Sequence, residues 1–196
     1  MNHAKNREMA GTGVKAMDPA HLKSLIRNVP DFPKPGIVFR DITPLLRDGA
    51  GLSAAIDELI EPFRHEPIDV VAGPESRGFI FASAIARQLN CGFVPIRKPG
   101  RLPWKVCSQS YQSEYGQDSL EVHEDGIGSG DRVLLVDDLL ATGGTMAACI
   151  ELIRTLGGVV VGASFLVELD ALNGRAKLPD IPVHSVLHFT ESEERT

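Results

Sequence analysis

Apolar residues recur at helical spacing in one stretch of the chain and form short, mostly apolar runs in others. Between Leu52 and Phe63 they follow the three-and-four spacing of a helix with one buried face. The runs have the length of strands that are buried on both faces of a sheet. Five strands are predicted on this basis, at Ile68–Ala72, Phe93–Ile96, Val133–Val136, Val159–Val167 and Val183–Leu187.

Further helices are predicted between these strands, at Phe79–Leu89 and Thr145–Leu156. Asp18 and Pro19 are suited to cap and open another helix near the N-terminus, which we expect to end near Arg27. Alternation of strands and helices is typical of a parallel sheet covered by helices on both faces. The pattern therefore predicts the α/β class, with a mostly parallel central sheet flanked by helices.

Composition narrows the class of protein. The 196 residues include 43% hydrophobic and 23% charged side chains, which is ordinary for a globular protein. The net charge of −6 argues against a nucleic-acid partner, and no apolar run is long enough for a membrane span. The three cysteines show no C-x-x-C spacing, so we expect a reducing, cytoplasmic location. Residues 1–17 are expected to form a flexible extension and residues 18–196 a single domain.

The segment Val133–Thr145 reads V-L-L-V-D-D-L-L-A-T-G-G-T and carries the strongest functional signal. Its second half combines glycines with the predicted start of a helix, where unpaired N–H groups bind phosphate. No lysine follows the glycines, which excludes a P-loop, and the G-x-G-x-x-G fingerprint of dinucleotide sites is absent. Asp137 and Asp138 would repel a bare phosphate, but they are suited to accept hydrogen bonds from sugar hydroxyls. The segment therefore favours a sugar phosphate as ligand, the alternative being a strand-end turn with solvated acids and a helix cap.

This segment resembles the motif with which type I phosphoribosyltransferases bind 5-phosphoribosyl-1-pyrophosphate (PRPP). Other segments are similar to the adenine-specific members of that family, and the similarity covers roughly residues 19–190. They are V-P-D-F-P-K-P-G-I-V-F-R-D-I-T-P-L at Val29–Leu45, then Glu75–Phe79, Ile96–Lys98, Ser113–Gly116 and Leu166–Leu169.

The resemblance implies transfer of the 5-phosphoribosyl group from PRPP to adenine, giving AMP and pyrophosphate in purine salvage. It also implies a small N-terminal hood over the base site, a homodimer, and Mg²⁺ held through the substrate with no direct protein ligands. His123 and His184 show no metal-ligand spacing and are expected to be structural or solvent-exposed.

The same resemblance implies a role for individual residues. The 5′-phosphate and ribose of PRPP are expected at Asp137, Asp138, Ala141, Thr142, Gly143, Gly144 and Thr145. The pyrophosphate is expected at Glu75, Ser76, Arg77, Arg97, Lys98 and Arg101. The adenine is expected at Val38, Phe39, Arg40, Tyr115 and Leu166, with Phe39 and Leu166 on opposite faces of the ring. Glu114 and Arg77 are the expected catalytic residues, Glu114 as the acid–base group that faces the purine.

The residues alone leave several alternatives open. Phe39 also fits a core position at strand spacing, and Arg101 and Lys105 also fit solvated surface charge. The polar stretch Pro99–Ser119 shows no periodicity and is interpreted as a loop that closes over the substrate, although an ordinary surface loop has the same appearance. Glu114 lies within it.

Two other functions also remain open. One keeps the chemistry and changes the base to xanthine, hypoxanthine, guanine or orotate. The other is a regulator that uses the fold as a nucleotide sensor. About 17 residues precede the first predicted helix, and they show neither a helix-turn-helix pattern nor a basic cluster, which argues against the regulator.

Overall fold

The computed structural model describes residues 17–113, 116–178 and 180–190. In chain order the helices and strands are α1 (Pro19–Ser24), β1 (Arg27–Val29), β2 (Phe39–Asp41), α2 (Thr43–Arg47), α3 (Gly49–Ile60), β3 (Val70–Pro74), α4 (Gly78–Leu89), β4 (Gly92–Ile96), β5 (Val106–Ser113), β6 (Gly116–His123), β7 (Arg132–Leu140), α5 (Gly144–Thr155), β8 (Val159–Leu169) and β9 (Val183–Phe189).

The central sheet has five parallel strands in the order β4-β3-β7-β8-β9, which confirms the predicted class. Side chains of β7 alternate between two cores. Leu134 and Val136 pack in the core that contains residues of α3 and α4, while Val133 and Leu135 pack in the core that contains residues of α5. Because both faces are covered, the strand reads as a continuous apolar run instead of an alternating one.

The carboxyl ends of the central strands differ most from the prediction. β7 was expected to stop at Val136, but it pairs with β8 as far as Leu140 opposite Glu168. The acidic pair therefore lies within the strand and not in a loop after it. β8 likewise extends to Leu169, two residues beyond its predicted end.

The first 25 described residues form the start of the domain and a small two-stranded layer. Asp18 caps α1 as predicted, since its Oδ1 accepts a hydrogen bond from the backbone N–H of Ala20 at 3.0 Å. The helix ends at Ser24, because the chain then pairs as β1 with β2. Met17 packs against the core, while residues 1–16 of the predicted extension lie outside the described residues.

The stretch predicted as an irregular loop contains a hairpin. β5 and β6 pair antiparallel from Val106 opposite His123 to Ser113 opposite Gly116, so the prediction of a loop was wrong over these residues. Five of the eight residues of β5 are serine or glutamine, and β6 begins with the polar run G-Q-D-S, so neither strand shows along its whole length the apolar alternation that would have revealed the hairpin. The hairpin packs closely on the start of α5, since a Cβ on Gly144 would lie 2.8 Å from the carbonyl oxygen of Gln112.

Among the described residues, no helix combines the length and apolar character that crossing a membrane requires.

Candidate active site

A cavity of about 710 Å³ opens at the carboxyl ends of the parallel strands. In open parallel sheets this edge is where ligands bind. The loops after β3 and β4, the end of β7 and the start of α5 form its floor. Residues of the N-terminal layer and of the hairpin form its sides.

Most of the residues that were predicted to bind substrate line this cavity. They are Val38, Phe39, Arg40, Glu75, Ser76, Arg77, Lys98, Asp137, Asp138, Ala141, Thr142, Gly143, Gly144 and Thr145. Arg97, Arg101 and Leu166 are not part of its lining. Glu114 and Tyr115 lie outside the described residues.

Residues 141–145, here called the phosphate loop, comprise the connection from β7 and the first two residues of α5. The residue before the helix is Gly143, which has a φ of +77°. A Cβ at Gly143 would overlap the carbonyl oxygen of Gly174, so both the backbone angle and the space require glycine here. Gly143, Gly144 and Thr145 line the cavity, so α5 begins there, and the N–H groups of a first helical turn have no partner within the helix.

The acidic pair lies on the cavity floor beside Arg77. Asp138 is only 4% exposed, and its Oδ2 lies 3.1 Å from the Nε of Arg77. Asp137 accepts a hydrogen bond from the backbone N–H of Asp138 at 2.9 Å. Burial and the neighbouring Asp138 carboxylate raise the pKa of Asp137, and burial raises the pKa of Asp138 although Arg77 opposes it. Hydrogen-bond donors from a ligand would stabilise both carboxylates.

Phe39 faces the cavity and is therefore not a core residue. Its ring is half-buried and meets the ring of Phe32 edge to face, with centroids 5.2 Å apart. The guanidinium carbon of Arg77 lies 5.0 Å from the centroid of the Phe39 ring. Arg40 is 4% exposed and its guanidinium stacks on Phe189, at 4.3 Å from the ring centroid. The aromatic ring of Phe39 therefore lies next to the Arg77 guanidinium, which in turn contacts the Asp138 carboxylate.

Two of the three arginines that were predicted to bind pyrophosphate, Arg97 and Arg101, form ion pairs with Glu75. The Nε of Arg97 lies 2.6 Å from Oε2 of Glu75, and the Nε of Arg101 lies 3.3 Å from Oε1. Both guanidinium groups therefore compensate the charge of this carboxylate. The peptide bond between Glu75 and Ser76 is cis. Lys98 does line the cavity, where its Nζ lies 3.4 Å from Oδ2 of Asp118.

Leu166 is fully buried in the core of the sheet, so it does not form the wall opposite Phe39. Leu169 and Leu172 line the cavity instead. The reason is the true length of β8, which places the end of the strand two residues later than the apolar run indicated. Continued apolar character at Leu169 was the signal that could have revealed this.

The hairpin contributes cavity residues that the sequence pattern did not reveal. Tyr111 and Asp118 both line the cavity, from β5 and β6. The hydroxyl of Thr145 donates a hydrogen bond to the hydroxyl oxygen of Tyr111 at 3.3 Å. Once the strand pairing is known, Tyr111 and Asp118 are directly opposite each other, which places both side chains on the same face.

A cluster of potential metal ligands lies outside the cavity lining. Glu168, Asp170 and His188 each offer an atom within 4.8 Å of the others. Both carboxylate oxygens of Glu168 already accept hydrogen bonds from Arg175, at 3.2 and 2.6 Å.

His184 lies outside this cluster. Its Nε2 forms a hydrogen bond with the carbonyl oxygen of Glu58 at 3.1 Å, and burial lowers the pKa of its imidazole, which fits the predicted structural role.

Comparison with known proteins gives consistent matches over most of the chain. A family model described as a phosphoribosyl transferase domain matches residues 40–192. The adenine phosphoribosyltransferase of Acidobacterium capsulatum is 55% identical over 181 residues, which are 89% of this chain and 100% of that protein. The solved structure of the Rhodothermus marinus enzyme of the same name has a TM-score of 0.85 and 52% identity, and covers 87% of this chain and 98% of its own. The Saccharomyces cerevisiae enzyme, solved with adenine and an imino-altritol bisphosphate, has a TM-score of 0.81 and 40% identity over 86% of this chain and 98% of its own.

Proposed function

Because the chain belongs to the adenine phosphoribosyltransferase family, we propose that it transfers the 5-phosphoribosyl group of PRPP to adenine and releases AMP and pyrophosphate. The observation that carries this proposal is the layout of one cavity. The glycine-rich helix start, the Asp137–Asp138 pair, the cationic Arg77 and Lys98, and the Phe39 ring all line this cavity. Arg77 lies 3.1 Å from Asp138 and 5.0 Å from the centroid of the Phe39 ring. The helix start and the acidic pair suit a sugar phosphate, the cationic side chains suit the pyrophosphate, and the aromatic ring suits the base.

The phosphate loop binds the 5′-phosphate of PRPP in this proposal. Backbone N–H groups at the start of α5 and the partial positive charge of the helix end stabilise the phosphate without a cation. The hydroxyls of Thr142 and Thr145, which both line the cavity, add donors. Asp137 and Asp138 accept hydrogen bonds from the ribose hydroxyls, which favours their charged forms.

The pyrophosphate leaves from the side of the cavity where Arg77 and Lys98 lie. Their charges stabilise the negative charge that develops on the leaving group. The Asp137 and Asp138 carboxylates stabilise the positive charge that develops on the ribose. Arg97 and Arg101 act indirectly, by neutralising Glu75, so that this carboxylate does not repel the leaving group.

The adenine ring stacks on Phe39 and contacts Leu169 on its other side. Backbone groups around Val38 and Arg40 form hydrogen bonds with the edge of the ring. As the bond from C1′ to the pyrophosphate oxygen breaks and the bond from C1′ to the purine nitrogen forms, that nitrogen must lose a proton. Glu114 remains the proposed acceptor of this proton and Tyr115 a proposed contact of the base. The support for both is their place between β5 and β6, whose Tyr111 and Asp118 line the cavity.

We propose Mg²⁺ as the cofactor, held mainly by oxygens of PRPP. The cavity fits such an ion, because burial raises the pKa of both Asp137 and Asp138 and the charge of Asp138 raises that of Asp137 further, so an added positive charge would stabilise the two carboxylates. When bound, the ion supplies charge neutralisation on the pyrophosphate. The family resemblance further implies a cytoplasmic homodimer, and the net charge of −6 supports the expectation of no nucleic-acid partner.

The proposed function is tested by incubating the protein with PRPP, Mg²⁺ and one base at a time, and separating the nucleotides formed. We expect AMP from adenine and no nucleotide from hypoxanthine, guanine, xanthine or orotate. The same preparation of a variant with Asp137→Asn and Asp138→Asn controls for a contaminating host enzyme. Product from another base alone would contradict the adenine assignment, and binding of PRPP without any product would favour the nucleotide-sensing regulator.

Replacing Phe39 by alanine is expected to raise the KM for adenine about tenfold, because stacking of one base on an aromatic ring contributes about 1–3 kcal/mol. The KM for PRPP should change by less than about threefold, since the ring stands over the base and not the phosphates. Steady-state kinetics with each substrate varied separately measures both values.

A matched control for this variant is Phe79→Ala. The Phe79 ring also belongs to an edge-to-face pair, with Phe93 at 5.7 Å, but it does not line the cavity. Both KM values should stay near those of the unmodified protein. An adenine KM that is equally insensitive to Phe39→Ala would remove Phe39 from the base site.

A further inference from the structure

A turn that follows β8 lies directly behind the phosphate loop. It comprises two short 3₁₀ helices, Asp170–Leu172 and Gly174–Lys177, and is called here the supporting turn. A Cβ on Gly174 would overlap the carbonyl oxygen of Ala141 and lie 2.9 Å from the backbone nitrogen of Gly143. The backbones of the supporting turn and of the phosphate loop are therefore in direct contact, and a shift of one must displace the other.

Arg175 fixes the supporting turn to the central sheet. Its Nε and Nη2 donate to the two carboxylate oxygens of Glu168 on β8, at 3.2 and 2.6 Å. Its Nη1 donates to the carbonyl oxygen of Val183 on β9 at 2.7 Å. A fork of this kind constrains direction as well as distance, unlike the single contact that a lysine would make. Arg175 thus holds the turn to two strands at once.

The partial exposure of this ion pair argues that it has a role besides stability. Glu168 is 5% exposed, but the Arg175 side chain is 42% exposed, and ion pairs open to solvent contribute little to stability. What the pair does provide is a defined position for the residues next to it. The residue that precedes Arg175 is Gly174, the one in contact with the phosphate loop.

The other end of the turn is also held. Nδ1 of His188 on β9 lies 2.8 Å from Oδ1 of Asp170. The cluster of Glu168, Asp170 and His188 thus has internal partners, and these partners link β8 and β9 to the two ends of the supporting turn. Positioning of the turn accounts for the cluster without a metal ion.

We propose that Arg175 is a positioning residue for PRPP binding: through its ion pair with Glu168 it holds Gly174 against Gly143 and Ala141, and so sets the conformation of the phosphate loop. The inference rests on the proposed role of that loop. Neither Arg175 nor Glu168 lines the cavity, so any effect of changing them on the affinity for PRPP is indirect.

The test is a variant that carries Arg175→Gln together with Glu168→Gln, so that no buried charge loses its partner. The KM for PRPP should rise about tenfold, while kcat at saturating PRPP and the KM for adenine change by less than about threefold. A role in stability alone would lower the melting temperature and the fraction of active protein, but it would leave the PRPP KM of the folded fraction unchanged. Arg154→Gln with Glu151→Gln removes an exposed ion pair on α5 and is the matched control.

Two further variants distinguish a positioning role of Arg175 from a role in stability alone. Arg175→Lys retains the charge but loses the fork, and it should raise the PRPP KM less than the double glutamine variant does. Gly174→Ala leaves the ion pair in place and disturbs the contact with the phosphate loop directly, so its effect should also fall on the PRPP KM. A PRPP KM within about twofold of the unmodified value in these variants, or an equal rise in the adenine KM, would overturn the proposal. AMP formation by the unmodified protein tests the proposed function separately.

Discussion

Changing Asp137 and Asp138 together to asparagine is expected to lower kcat/KM for PRPP by about 100- to 1,000-fold, since hydrogen bonds to charged groups contribute about 1.5–3 kcal/mol each. The amides can still accept hydrogen bonds from ribose hydroxyls, but they carry no charge to stabilise a cationic sugar. Steady-state kinetics and calorimetric titration with PRPP measure the loss in turnover and in affinity separately.

The same variant should remain folded. Burial raises the pKa of both carboxyl groups, and the charge of Asp138 raises that of Asp137 further, which means that the fold disfavours their charged forms. Neutral amides of the same shape remove that cost, although Arg77 loses its partner at 3.1 Å. Asp69→Asn is the control, because Asp69 binds Arg132 at the opposite end of the same strands. Unaltered affinity for PRPP in the Asp137 and Asp138 variant would show that these residues do not hold the ribose.

Glu114→Gln is expected to lower kcat by about 100- to 10,000-fold, the range typical of a lost acid–base group. The KM for PRPP should change little, since the residue is assigned to the purine and not to the sugar phosphate. Single-turnover measurements with saturating substrates isolate the chemical step from product release.

Glu121→Gln provides a matched control for Glu114 on the same hairpin. Oε2 of Glu121 accepts a hydrogen bond from the backbone N–H of Gly100 at 3.0 Å, and the residue does not line the cavity. Its turnover should stay within about threefold of the unmodified protein. Unchanged turnover in Glu114→Gln would remove Glu114 from the mechanism.

The sequence alone predicted those features of the fold that depend on residues adjacent in the chain. The order of the five central strands, the helices α4 and α5 between them, and the start of α5 to within one residue all follow from residues that are neighbours in the chain. Strand ends were less accurate, because pairing with a neighbouring strand extends β7 and β8 beyond their apolar runs. This error assigned a cavity position to Leu166, which is buried, when Leu169 is the residue that lines the cavity.

The residues that the sequence missed depend on contacts between distant segments. The hairpin is stabilised by packing on α5, so its polar strands had no pattern of their own to reveal Tyr111 and Asp118. Likewise, nothing in the sequence showed that Glu75 engages Arg97 and Arg101, since the pairing depends on the approach of two separate loops.

A crystal structure with AMP bound tests the central claim most directly, because AMP carries the base and the 5′-phosphate in one molecule. The account predicts the phosphate within hydrogen-bond distance of the backbone nitrogens of the phosphate loop, the ribose hydroxyls on Asp137 and Asp138, and the adenine ring stacked on Phe39. A phosphate bound away from residues 141–145, or an adenine ring that does not contact Phe39, would contradict it.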